Sequence, residues 1–161
     1  MGEYTFRRDV RKQDADHVRR IVKSSGYFFD HEIDVAVELV DEFLAKGDAS
    51  GYRFIFAEKN GETLGYTCFG LTPCTVHSYD LYWIAVMESC RGSGLGKQLL
   101  LESEKDIHAA GGRRIYIETS SKEQYRSTQG FYLRCGYRQE AHLEDFYGPG
   151  DGKLIYVKVL S

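Results

Sequence analysis

The sequence predicts an α/β protein built on one mixed sheet with helices packed on its faces. Two observations lead to this prediction. Strand-like and helix-like hydrophobic patterns follow one another in the order β-α-α-β-β-β-α-β-α-β-β. One strand–helix–strand unit also lies between stretches that indicate antiparallel hairpins, and such a unit brings two strands parallel to each other. The sheet should therefore contain both kinds of pairing.

A short strand and two amphipathic helices are predicted before the first hairpin. The alternating stretch 4–10 indicates a strand. In the stretch 14–26 Asp14 is the expected N-cap, and in 29–47 the apolar residues again recur at helical spacing. The residues expected to face the core are Ala15, Val18, Ile21 and Val22 in the first helix and Ile33, Val37, Val40 and Leu44 in the second.

Strands make up much of the remaining chain. Two apolar runs flank Asn60-Gly61, a dipeptide typical of tight hairpin turns, so residues 52–71 should form a hairpin. The later predicted elements are a strand over 76–87, a helix from Leu95 to Ile107 that Gly111 and Gly112 end, a strand over 113–119, a helix over 123–136 and a final hairpin over 137–160.

Length and composition favour a single domain, residues 1–161, with an ordinary hydrophobic core. Apolar residues make up 42% of the chain and charged residues 28%, as in typical globular proteins. The formal net charge of −3 provides no basic excess to neutralise phosphates, so we expect neither nucleic acid nor an anionic membrane as a partner. Monomer and homodimer both remain open.

The four cysteines, at positions 68, 74, 90 and 135, indicate reduced thiols and not a metal site. No C-x-x-C pair occurs, and no histidine pair has zinc-ligand spacing. The N-terminal residues lack the apolar segment of a signal peptide, and no apolar run approaches the ~20 residues that span a bilayer. We therefore expect a cytoplasmic protein without a bound metal.

Three glycines alternate in the stretch C-R-G-S-G-L-G-K-Q (90–98), where the third helix should begin. It is not a P-loop, because Arg91 occupies the first glycine position and Gln98 replaces the required Ser or Thr. Its G-x-G-x-G spacing also differs from the dinucleotide motif. The remaining pattern, Arg91-x-x-Gly94-x-Gly96, suits a pyrophosphate held by the unpaired N–H groups of a helix N-terminus. A tight turn with close helix–sheet packing would explain the same glycines.

Two longer stretches carry motifs in a fixed order. LYWIAVMESCRGSGLGKQLL (81–100) joins an apolar strand to R-x-x-G-x-G, and FYLRCGY (131–137) places an aromatic pair before a glycine. Together they resemble the GNAT superfamily of acyl-CoA-dependent N-acetyltransferases. The resemblance implies a mixed, mostly antiparallel sheet with a central splayed strand pair, flanked by about four helices. Three positions depart from the family pattern, where Glu88 replaces a common proline, Tyr125 a common asparagine and Thr128 a common alanine.

The resemblance implies acetyl-CoA as the cosubstrate and no metal. Main-chain N–H groups of the glycine loop would bind the pyrophosphate, and the preceding strand would pair with the pantetheine arm through its main chain. A main-chain N–H of that strand would also stabilise the developing oxyanion. The residues so assigned are Ile84, Ala85 and Val86 on the strand and Arg91, Gly92, Ser93, Gly94, Leu95, Gly96 and Lys97 in the loop.

The resemblance also implies direct attack of an amine on the thioester in a ternary complex. Tyr132, in the second motif, would be the general acid that protonates the leaving thiolate. Glu118 is the first candidate for the general base, and Asp80 is the alternative on the strand before the loop. The histidines His77 and His142 are further candidates.

In this family the acceptor pocket is built from the first two helices and the last hairpin. Here the stretches 26–34 and 141–153 both combine aromatic residues with carboxylates, which suits a cationic amine. We therefore expect a small primary amine or a peptide amine as the acceptor. The candidate substrate-binding residues are Phe29, Asp30, Asp80 and Asp145. Two alternatives stay open: a non-catalytic acyl-CoA-binding module, and a nucleotide- or phosphate-binding domain without thioester chemistry.

Overall fold

Seven strands and four α-helices form the protein in the computed structural model, which describes residues 3–161. Residues 1 and 2 of the predicted domain lie outside the described range. The elements are β1 (Thr5–Arg7), α1 (Asp14–Ser24), α2 (Asp30–Lys46), β2 (Arg53–Lys59), β3 (Glu62–Leu71), β4 (Ser78–Val86), α3 (Leu95–Ala109), β5 (Arg114–Ser120), α4 (Arg126–Arg134), β6 (Arg138–Gly148) and β7 (Asp151–Val159).

The strands form one mixed sheet in the order β1-β2-β3-β4-β5-β7-β6. The pairs β1–β2, β2–β3, β5–β7 and β6–β7 are antiparallel, whereas β4 and β5 run parallel. The parallel register joins Ser78–Leu81 with residues 114–117 and ends there, although both strands continue. The predicted fold class, including the splayed central strand pair, is therefore confirmed.

The chain divides into two compact units. One contains the described residues up to Gly70 together with Trp83–Asp106, and the other contains Leu71–Tyr82 together with Ile107–Ser161. Strand β4 contributes its first half to the second unit and its last four residues to the first. That residues 1–161 act as one domain stays a prediction.

The core of the first unit lies between the helices α1 and α2 and the strands β2 and β3. The apolar stripes of both helices are buried as predicted, except at Ala15, which is partly buried, and at Leu44, whose side chain is 42% exposed. Leu44 lies near the end of α2 and lines a surface cleft. The neighbouring Phe43 packs edge-on against Phe54 instead, with 5.9 Å between the ring centroids. The buried residues of this core are Val18, Ile21, Val22, Ile33, Ala36, Val37, Val40, Phe54, Phe56, Tyr66 and Cys68.

Asp14 does not cap α1, contrary to the prediction, because it is the first helical residue and points inward. Its carboxylate is fully buried and accepts two hydrogen bonds of 2.8 Å from the Arg7 guanidinium and one of 2.7 Å from the Arg11 N–H. Burial alone would raise the pKa of Asp14, but these hydrogen bonds more than offset it and lower the pKa. Strand β1 is also shorter than the predicted 4–10.

In the second unit, the predicted end of α3 and the final hairpin are both present. Gly111 adopts φ +90°, and a Cβ on Gly112 would stand 2.3 Å from Cγ2 of Ile107, so neither position accepts a larger residue without distortion. The turn of this hairpin is Pro149-Gly150, between the end of β6 at Gly148 and the start of β7 at Asp151. Helix α4 begins at Arg126, after a short 3₁₀ turn over Glu123–Tyr125.

Candidate active site

The glycine loop between β4 and α3 is a series of tight turns. The Cys90 N–H donates to the Met87 carbonyl at 2.8 Å, and the Ser93 N–H donates to the Cys90 carbonyl at 3.2 Å. Gly92 and Gly94 adopt φ +78° and +87°, a region that residues with a Cβ rarely adopt. The backbone conformation therefore requires glycine at these two positions. A tight turn by itself explains this requirement.

The same loop also presents donors at the start of α3. Within residues 3–161, the main-chain N–H groups of Gly94, Gly96 and Lys97 have no protein acceptor. Unpaired N–H groups at a helix N-terminus carry partial positive charge and bind anions. A Cβ on Gly94 would meet no protein atom within 4 Å, so the space above this residue is open.

The side chains of the glycine loop are less suited to anion binding than its main chain. The Arg91 guanidinium lies 5.6 Å from the Tyr27 ring centroid and 3.6 Å from the Glu88 carboxylate. Leu95 is fully buried in the core, and Lys97 is exposed. The Ser93 hydroxyl donates to the Cys90 carbonyl and so stabilises the turn. These contacts favour anion binding by main-chain N–H groups over binding by loop side chains.

The end of β4 is fixed along the edge that faces β3. The Met87 N–H donates to the Leu64 carbonyl at 2.8 Å, and a Cβ on Gly65 would stand 3.1 Å from the Ala85 carbonyl oxygen. Ile84, Ala85 and Val86 are half-buried, and all three lie beyond the register that joins β4 to β5. Main-chain groups past the end of that pairing are suited to bind an added strand-like ligand.

Tyr132 lies in an aromatic cluster on α4. Its side chain is 5% exposed, and its ring centroid stands 5.7 Å from that of Tyr156 and 6.2 Å from that of Tyr137. Burial, followed by the nearby Cys135 and Tyr156, raises the pKa of Tyr132 well above its ordinary value. The phenol is therefore protonated throughout the neutral range, as a general acid must be.

Glu118, the predicted base, is an ion-paired and half-exposed carboxylate. Its Oε2 lies 2.9 Å from the ammonium of Lys153 on β7. The Lys153 side chain is 15% exposed, and its ammonium also stands 4.1 Å from the Phe146 ring centroid. The pattern of the sequence did not indicate Lys153, although the alternation of β7 and its pairing with β5 would place it beside Glu118.

Asp80 is a more buried carboxylate on β4 in the same unit. It accepts a hydrogen bond of 2.8 Å from the Thr72 hydroxyl, and its register partner on β5 is Tyr116. Burial is the main cause that raises the pKa of Asp80, and the negative charge of Glu118 adds to it. A raised pKa makes this carboxylate a better proton acceptor than an ordinary aspartate.

The predicted acceptor residues have mainly structural contacts. Phe29 is 69% exposed and precedes α2, where its N–H donates to the Glu32 carboxylate at 3.0 Å. Asp30 lies in the first turn of that helix, a favourable position for an acid. Asp145 adopts φ +56°, and its carboxylate accepts the Gly150 N–H at 2.8 Å. Their roles in acceptor binding stay predictions.

The predicted site residues fall into two groups by unit. The glycine loop, Ile84–Val86, Phe29 and Asp30 belong to the first unit. In the second unit the sheet places Asp80 and Glu118 on one face. Tyr132 and Asp145 also belong to the second unit.

Among the described residues, no group of three or more His, Cys, Asp or Glu side chains could hold a metal ion. None of the helices in this part of the chain has both the length and the apolar composition of a membrane span.

A family model described as the acetyltransferase (GNAT) family matches residues 17–137, three quarters of the chain. The chain belongs to the GNAT family. The general reaction of GNAT acetyltransferases is the acetyl-CoA-dependent acetylation of an amine. The two sequence motifs that resemble this family lie within or at the end of the matched range.

Similar proteins agree with the assignment to the GNAT family. A solved GNAT-family structure from Desulfovibrio desulfuricans is 48% identical, with a TM-score of 0.97, and the match covers 99% of this chain and 100% of that one. YvbK, an uncharacterized N-acetyltransferase of Bacillus subtilis (strain 168), is 29% identical over 116 residues, 71% of this chain and 68% of its own.

One of the more distant GNAT structures was solved with coenzyme A. The PaiA N-acetyltransferase of Thermoplasma acidophilum, in complex with coenzyme A, is 17% identical with a TM-score of 0.74. The match covers 98% of this chain and 99% of that one. At this identity the similarity establishes a common fold.

Proposed function

We propose that this GNAT protein transfers an acetyl group from acetyl-CoA to an amine by direct attack in a ternary complex. The observation that carries the proposal is the set of unpaired main-chain N–H groups at Gly94, Gly96 and Lys97, together with the open space above Gly94. The family membership and the coenzyme A bound to a structural neighbour support a pyrophosphate as the anion held there.

The end of β4 has the proposed role of aligning the thioester. Main-chain groups of Ile84, Ala85 and Val86 would pair with the pantetheine arm as an added strand does. A main-chain N–H of this segment would stabilise negative charge on the thioester oxygen during attack. Side-chain identity matters little for this role, so apolar residues that also pack in the core are compatible with it.

Proton transfer in the proposed reaction uses residues of the second unit. A carboxylate of the pair Asp80 and Glu118 accepts the proton of the attacking ammonium, since the ammonium form has no lone pair. The amine nitrogen forms a bond to the carbonyl carbon, and the carbon–sulfur bond breaks. Tyr132 donates its phenolic proton to the leaving thiolate, whose conjugate thiol has a pKa of about 8.5, and the second proton lost by the nitrogen restores the phenol through solvent. The acceptor would be a small molecule or a peptide.

The test compares Gly94→Val with the matched control Gly111→Val, measuring acetyl-CoA affinity by calorimetry. Both glycines have φ near +90°, and at both an added Cβ would meet no protein atom within 4 Å. Valine should therefore impose similar backbone strain at the two positions. Gly94→Val should weaken binding at least tenfold, because the branched side chain fills the space where the anion would approach. Gly111→Val should leave the affinity unchanged. Equal affinities in the two variants would overturn the proposal.

A further inference from the structure

Three charged side chains share one face of the sheet in the second unit. Asp80 is the register partner of Tyr116, two residues before Glu118 on β5, and Lys153 is the register partner of Ser120. Because side chains alternate along a strand, all of these residues point to the same face. We propose that Lys153 is a positioning residue that holds Glu118 as a paired anion, so that Asp80 takes up the acceptor's proton. This inference rests on the proposed function.

Lys153 is held firmly in this position. Its ammonium donates to Glu118 at 2.9 Å and lies against the Phe146 ring at 4.1 Å, while the side chain is 85% buried. An ammonium on a largely buried side chain is costly unless it is paired, which favours the ion pair with Glu118. The preceding Gly152 is enclosed as well, since a Cβ there would stand 2.5 Å from Nε2 of His142.

The ion pair makes the two carboxylates unequal. One oxygen of Glu118 is occupied by the ammonium of Lys153, so this carboxylate is less free to contact the acceptor amine. Asp80 is half-buried, accepts a hydrogen bond from the neutral hydroxyl of Thr72 and has a raised pKa. The positive charge of Lys153 also lowers the pKa of Asp80, whereas burial and the negative charge of Glu118 raise it. Lys153 therefore pairs with one carboxylate and favours the ionised form of the other.

The other titratable groups around the two carboxylates come from β4, β5, β6, β7 and the segment before α4. Tyr82 donates a hydrogen bond to Asp80, and the pKa of Tyr147 is raised by burial and then by Glu118 and Asp151. Lys122 stands 3.7 Å from the Asp151 carboxylate. The neighbouring groups that these contacts identify are Tyr82, Tyr116, Lys122, Tyr125, Tyr147 and Asp151.

The first experiment measures the pKa of Asp80 in the full-length protein by carbon-detected NMR titration of its carboxyl group. Lys153→Met should raise that pKa, because it removes a nearby positive charge. Lys153→Arg should restore it, since the charge returns. Lys158→Met is the matched control: Lys158 lies on the same strand but faces the other side and donates to the Cys135 carbonyl. That variant should leave the Asp80 titration unchanged.

The second experiment follows kcat/KM against pH with acetyl-CoA and a primary amine. With Lys153→Met the acid limb of the profile should move to higher pH, because Asp80 stays protonated further up the scale. Asp80→Asn should lower kcat at least 100-fold, and Glu118→Gln less than tenfold. An Asp80 pKa unmoved by Lys153→Met, or the reverse order of the two carboxylate variants, would overturn the inference. Failure of the wild-type protein to acetylate any amine would overturn the proposed function, whatever the titration shows.

Discussion

The hydroxyl of Tyr132 provides the sharpest test at the scale of single residues. Tyr132→Phe keeps the ring in its aromatic cluster and removes only the acidic proton. If that proton goes to the leaving thiolate, kcat should fall by about 100-fold, within the usual contribution of general acid–base catalysis. Steady-state kinetics would measure the loss, and calorimetry should find the acetyl-CoA affinity unchanged.

Tyr156→Phe is the control for this substitution, because it removes a hydroxyl from the neighbouring ring of the same cluster. Its kcat should stay within about threefold of the wild-type value. Equal kcat for the Tyr132 and Tyr156 variants would contradict the general-acid role. A protein that binds acetyl-CoA but acetylates no amine would instead favour the non-catalytic acyl-CoA-binding module.

Residues that belong to local motifs could be predicted from the sequence, whereas their distant partners could not. The backbone conformation requires glycine at positions 92 and 94, and such a local requirement can be predicted from the sequence pattern. Lys153 meets Glu118 only through the pairing of β5 with β7, which joins positions far apart in the chain. The prediction that Asp14 is the N-cap of α1 was wrong for the same reason. The fold, and not helical spacing, brings Arg7 to the Asp14 carboxylate.

At the scale of elements, helices and hairpins followed from hydrophobic periodicity, and errors occurred at their ends. Strand β1 is three residues long, against the seven of the predicted stretch 4–10, because only Thr5–Arg7 pair with β2. Leu44, in the last turns of helix α2, is exposed although the helical spacing of apolar residues continues to this position. Periodicity reports which face is apolar, but where an element stops depends on tertiary contacts.

The contact between β3 and the end of β4 gives a prediction for the elements that frame the candidate site. A Cβ on Gly65 would stand 2.9 Å from Cδ1 of Leu99 and 3.1 Å from both the Ala85 carbonyl oxygen and Cγ1 of Val86. Gly65→Ala should therefore displace β4 or α3 and destabilise the protein by about 1–3 kcal/mol, the usual cost of overpacking. Because β4 is the proposed pantetheine strand, acetyl-CoA affinity should fall as well.

Denaturant unfolding and calorimetry would measure both effects, with Gly148→Ala as the matched control. Gly148 has no protein atom within 4 Å of its added Cβ, so alanine there should change stability by less than about 0.5 kcal/mol. It should leave acetyl-CoA affinity intact. Unchanged stability in Gly65→Ala would show that the sheet absorbs the methyl group without moving β4.

At the scale of the whole molecule, ligand binding should appear as increased thermal stability. A ligand that binds only the folded state at 100 times its dissociation constant contributes about 2.7 kcal/mol. For a chain of this length, that corresponds to a rise of roughly 5–10 °C in Tm. Acetyl-CoA should produce such a rise in a thermal-unfolding scan. ADP at the same concentration should produce a smaller one, because it has the pyrophosphate but lacks the pantetheine arm.

The comparison of the two ligands separates the two halves of the proposed binding mode. The glycine loop provides main-chain donors that any pyrophosphate could use, whereas the proposed partner of the end of β4 is the pantetheine arm, which ADP lacks. If ADP raised Tm as much as acetyl-CoA, the arm would contribute nothing, and the nucleotide-binding alternative would replace the acetyltransferase. If Gly94→Val abolished the rise with both ligands, the loop would be the common anchor, and the difference between the ligands in the wild type would measure the contribution of β4.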